Sequence, residues 1–105
     1  MTSLVPVDLL ALSAALLGIG IFGILTRRNF ILLLIAVEIA MNAAILNFVV
    51  FGALAGGSGG VSGNAIAVVL VGLAATEVAV GLAIVLALNR LRGSINVAEA
   101  TSLRL

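Results

Sequence analysis

Glu38 and Glu77 each lie deep inside an apolar run of membrane-spanning length, and Asp8, near one end of the chain, is the only other charge so placed. A carboxylate at bilayer depth costs about 2.5 to 3.5 kcal/mol on insertion scales, so an acid kept there serves a task. The chemistry open to it is proton transfer: a carboxyl takes up and releases a proton with no other bond changing, which is what a relay inside a membrane needs. The competing reading makes both acids protonated, hydrogen-bonded glue between helices. Asn42, one helical turn beyond Glu38, is a partner for it in either case.

The elements that must hold these acids follow from composition. The chain has 105 residues, 64% of them hydrophobic and 9% charged, with a mean hydropathy of +1.44, far outside soluble globular usage. Three apolar segments, about 4–25, 30–51 and 65–88, each approach the roughly 20 residues that cross about 30 Å of hydrocarbon. Lipid offers backbone groups no partner, so these segments are expected to be helices. The expected fold is all-α: a single membrane domain over 1–105 with three transmembrane helices. Residues 52–63, rich in glycine and without charge, are expected to form a flexible outer loop; no lysine or preceding strand completes a phosphate-binding loop there. Residues 89–105 are expected to be a cytoplasmic tail. The first segment lacks a basic leader and is expected to be retained rather than cleaved.

Helix ends carry ordinary signals. Pro6 suits a first turn, Asp8 the positive end of the first helix dipole, and Asn29 an N-cap of the second helix. Gly93, beyond Arg90 and Arg92, is expected to close the third. Arg27 and Arg28 lie between the first two helices, and Arg90, Arg92 and Arg104 follow the third. Three spans put both groups on one side, which the positive-inside rule makes cytoplasmic, with the N-terminus outside and the C-terminus inside. These arginines are topology anchors first. Five arginines without lysine are too few and too dispersed for nucleic acid. Cysteine, histidine, tryptophan and tyrosine are all absent, so thiolate and imidazole metal sites and iron–sulfur ligation are not available to this chain.

At 1.5 Å per residue, Glu38 is expected about 12 Å and Glu77 about 16 Å from the cytoplasmic ends of their helices. Helical phase puts Ala36, Ala40, Ala43 and Asn47 opposite Glu38, with Ile31, Asn42 and Ile45 on its side. On the third helix Gly72, Ala75, Thr76, Ala79, Ala83 and Ala87 form a small-residue stripe roughly opposite Glu77, expected to be a packing face. Each helix then has one packed and one acidic face, more than three helices alone can cover, and partner subunits are inferred.

The block TRRNFILLLIAVEIAMNAAILNFV, residues 26–49, resembles the loop and second helix of the K-subunit family of bacterial NADH:quinone oxidoreductase, respiratory complex I. ATEVAVGLAIVLALNRLRGSINV, residues 75–97, is similar to that family's third helix and tail. The likeness covers nearly the whole chain and departs from the family's pattern at Ala40 and near Asn64 and Ala98. It implies a proton-translocating assembly in the bacterial inner membrane, with Glu38 and Glu77 as the family's two intramembrane relay acids. Arg27, Arg28 and Asn29 match its cytoplasmic loop in a supporting role; the supporting role expected of Asn42 rests on its spacing from Glu38. It also implies no cofactor in this chain, with NADH, flavin, iron–sulfur clusters and quinone held by other subunits, and antiporter-like and quinone-proximal membrane subunits as partners. The nearest alternative is the C subunit of multi-subunit cation/proton antiporters. An ATP synthase ring subunit would be a two-helix hairpin with one carboxyl, and a holin leaves two mid-membrane acids unexplained.

Overall fold

A backbone without water must bond to itself, and the described part of this chain does so almost without interruption. A computed structural model describes residues 5–92 as three helices, α1 (Val5–Thr26), α2 (Phe30–Ala55) and α3 (Gly57–Arg92). Each is long and apolar enough to cross a membrane. Asp8 occupies the first turn of α1, and Arg90 and Arg92 the last turn of α3. Asn29 is extended (φ −86, ψ 128) and its Oδ1 accepts from the amides of Ile31 at 2.9 Å and Leu32 at 3.3 Å, so two otherwise orphaned donors at the start of α2 are satisfied. Gly93 as helix terminator, Arg104 and the tail from residue 93 onward lie outside the described residues.

The glycine-rich segment is not a loop. α2 runs on to Ala55 and α3 starts at Gly57, so the break narrows to Gly56 and the start of α3. Gly56 and Gly57 have φ of 64° and 49°, a region side chains avoid and glycine tolerates. Backbone bonding continues across the break, from Gly56 N–H to the Gly52 carbonyl at 3.2 Å and from Gly60 N–H to the Gly56 carbonyl at 3.1 Å. Glycine's low helix propensity, about 1 kcal/mol against alanine, is outweighed where helix is the one way to pair every amide and where bare backbone lets two helices meet.

α1 and α3 each pack along α2 and hardly touch one another. On the α1 side, a Cβ at Gly20 would stand 2.8 Å from the backbone nitrogen of Ala40, and one at Gly23 2.6 Å from the Ala36 side chain. The buried hydroxyl of Ser13 donates to the carbonyl of Ala43 at 2.9 Å. The small stripe of α2 is therefore a packing face, as its phase implies, with Ala36 and Ala43 buried in it.

On α3 the stripe does not pack within the chain. Gly72, Ala75, Thr76, Ala79, Ala83 and Ala87 are all exposed, and the buried residues are Gly63, Ala67, Ala74 and Val85. With half-buried Leu70, Val78, Gly81 and Leu88 these follow a repeat of three and four residues, a single seam laid along α2. The seam is chosen by fit. Gly63 lets α3 approach the backbone of Gly52 and Phe48, and Gly81 makes room for Leu34; the alanine stripe is on the far side of the same helix.

Candidate functional site

The seam sets how the two acids relate. Gly52 meets Gly63 and Leu34 meets Gly81; in each antiparallel pair the residue numbers total 115, and those of Glu38 and Glu77 do the same. Glu38 and Glu77 are level. Phe30, the first residue of α2, is level with Val85 by that register, and each acid stands eight residues further in, about 12 Å along its helix. Measured to the end of its own helix, Glu77 lies fifteen residues, about 22 Å, from Arg92, more than the 16 Å expected, because α3 runs past Leu88.

Level is not adjacent. Glu38 is half-buried and lines a cleft between α2 and α3 with Ile31, Leu34, Ile35, Ile39, Val78 and Leu82. Glu77 is exposed and lines a shallower one with Thr76, Val80, Gly81 and Ile84. Gly81 and Ile84 also border a cleft walled on α2 by Phe30, Leu33, Leu34 and Val37. At 100° per residue, Val78 and Leu82 fall on one side of the α3 seam and Glu77 and Ile84 on the other. The two carboxyl groups thus open on opposite flanks of the α2–α3 contact, with Leu34 and Gly81 packed between. Among the described residues neither carboxylate receives a hydrogen bond.

Arg27 and Arg28 are exposed in the α1–α2 connection, at the same end of the helix row as Arg90 and Arg92. Arg27 lines a cleft between α1 and α2 that includes Ile35 and Ile39, the residues that also wall the Glu38 cleft. Asn29 is turned to capping. Asn42 is exposed on the Glu38 flank, four residues further along α2. One residue escapes a reading centred on charge: Ser13, 2% exposed, whose bond to Ala43 ties α1 to the helix that carries Glu38. Its signal was the small-residue spacing of Ser13, Gly20 and Gly23.

The chain matches, over residues 8–105, the model of the family described as NADH-ubiquinone/plastoquinone oxidoreductase chain 4L. It is 50% identical over 88 residues to the NADH-quinone oxidoreductase subunit K of Anaeromyxobacter dehalogenans (strain 2CP-C), covering 84% of this chain and 86% of that one. To the subunit K of Anaeromyxobacter sp. (strain Fw109-5) it is 44% identical over 101 residues, 95% of this chain and 98% of the relative. To that of Geobacillus kaustophilus it is 43% identical over 95 residues, 90% and 93% respectively.

Proposed function

The chain belongs to the NADH-ubiquinone/plastoquinone oxidoreductase chain 4L family, and we propose that it is a membrane-arm subunit of a proton-translocating NADH:quinone oxidoreductase in which Glu38 and Glu77 relay protons. The observation that carries this reading is the pair itself: two acids at one level, about 12 Å in from the level where α2 begins, with no hydrogen-bond partner among the described residues. Each opens toward a different neighbour, so the chain acts as a link between subunits. A carboxylate oxygen on one flank accepts a proton from a donor or water there and later releases it. The acid on the other flank does the same, and the two sense each other's charge across the seam.

In this proposal the N-terminus is outside the bacterial plasma membrane, and the arginine-bearing end and the C-terminus face the cytoplasm. Arg27 and Arg28 anchor that end while Asn29 holds the first turn of α2. NADH, flavin, iron–sulfur clusters and quinone reside on partner subunits, including the quinone-proximal and antiporter-like ones.

The test is replacement of each acid in membranes containing the assembled complex. Glu38→Gln and Glu77→Gln keep shape and remove the titrating group, and each is expected to lower quinone-linked proton pumping several-fold, with Glu38→Gln the more severe. Glu38→Asp, which keeps the acid and shortens its reach, is expected to retain partial activity. Normal pumping by both assembled Gln variants would defeat the relay.

A further inference from the structure

Glu38 is not the only polar group on its flank. Asn42 follows it four residues along α2, and beyond Asn42 the same side of the α2–α3 seam carries a second cleft, of about 360 Å³, lined by Ile45, Val49, Asn64, Ala67, Val68 and Val71. Val71 and Asn64 share the side of α3 on which Val78 and Leu82 border Glu38. The register makes Asn64 level with Phe51, twenty-one residues beyond Phe30 and so about 32 Å along the axis, the far edge of a hydrocarbon core about 30 Å thick. From Glu38 the polar groups thus stand at about 6 Å and about 20 Å toward the hairpin.

Three hydroxyls of the spans are satisfied locally. Ser13 bonds the Ala43 carbonyl, Thr26 that of Phe22, and Thr76 that of Leu73. Asn42 and Asn64 are exposed, and among the described residues neither side chain makes a hydrogen bond. An unpaired amide within the hydrocarbon costs several kcal/mol, so Asn42 needs a partner; Asn64 stands at the edge where water enters, and water fits the spacing. The gap of about 14 Å between their levels is bridged by about four waters at about 2.8 Å steps, and the cleft has room for them at about 30 Å³ each.

We infer that Asn42 and Asn64 line a hydrated path on one flank of the α2–α3 pair, running from Glu38 to the hairpin end, with its other wall supplied by a neighbouring subunit of the assembly. Asn64 forms the mouth, and Asn42 orients the water next to the Glu38 carboxyl by offering both a donor and an acceptor. The two asparagines are positioning residues. The inference rests on the relay role of Glu38 and adds a direction: Glu38 exchanges protons with the hairpin side of the membrane.

The test uses the assembled complex in its membrane. Asn42→Leu and Asn64→Leu preserve volume and remove the amide. Each is expected to reduce protons pumped per quinone reduced about fivefold or more and to raise the solvent deuterium isotope effect on turnover, while Asn42→Ser and Asn64→Ser retain at least half the pumping. Because this chain has no cysteine, single cysteines report water directly. Ile45→Cys and Val71→Cys, on the path, are expected to react with a small water-soluble thiosulfonate added from the hairpin side at least tenfold faster than Val69→Cys on another face. Leucine variants that pump normally, serine variants that fall as far as leucine, or path cysteines no more reactive than Val69→Cys would each overturn the path. Glu38→Gln separates the two levels of the argument. If it abolishes pumping while the leucine variants pump normally, the relay stands and the path fails; if it pumps normally, the relay itself fails.

Discussion

Replacing Gly63 by alanine tests the seam that sets the level of both acids. A Cβ there would lie 2.6 Å from the carbonyl oxygen of Phe48 and 2.7 Å from Cα of Gly52. Both are backbone atoms of α2 and no side chain can swing aside. Restoring ordinary contact near 3.4 Å requires the helices to part by about 0.8 Å, and gaps of 0.5 to 1 Å forfeit a quarter to a half of each dispersion well they open. Overpacking of this kind costs about 1 to 3 kcal/mol. Alanine also gains up to about 1 kcal/mol of helix propensity over glycine, which Gly72→Ala isolates, because a Cβ at Gly72 meets nothing within 4 Å. The difference between the two variants is therefore the contact term, about 1 to 3 kcal/mol, or about 5- to 150-fold in the association of α2 with α3. The assay is steric trapping of the helix pair in lipid bilayers, with tags at the open ends of α2 and α3 and the chain reconstituted alone so that no partner covers Gly72. If Gly63→Ala and Gly72→Ala associate equally well, the glycine crossing is not what seats α3, and the level placement of Glu38 and Glu77 loses its support.

Two further substitutions probe the positioning of α2. Ser13→Ala removes the bond to the Ala43 carbonyl and is expected to weaken α1–α2 association by about 0.6 to 1.7 kcal/mol, read by the same trapping method with the tags on those helices; no change would mean that the Gly20 and Gly23 contacts suffice. Asn29→Ala removes the acceptor for the Ile31 and Leu32 amides and is expected to cost about 1 kcal/mol. That appears as roughly fivefold faster hydrogen exchange at those two amides, with Leu46 deep in α2 unchanged.

What the residues alone determine here is what lipid dictates. Runs such as 30–51 have to be helical because the bilayer pairs no amides, the arginines gather at one end because charge is costly across a membrane, and Glu38 and Glu77 stand out because acids at depth are rare. The family likeness was legible too, since both acids carry their neighbours with them in residues 26–49 and 75–97. The continuous helix through 52–63 was not. Glycine is a breaker by propensity, and only a partner helix at Gly52 and Gly63 turns its bareness into close packing. Nor could phase choose the packing face of α3. Apolar residues lie nearly evenly around each helix, because lipid and protein interior reward the same side chains, and the periodicity that marks the core of a soluble protein is lost. The tertiary structure decided the seam, and through it that Glu38 and Glu77, whose similar depth the helix lengths already implied, open on opposite flanks. Residue type put two acids in the membrane; the approach of bare glycine backbone to its neighbours determined where each one faces.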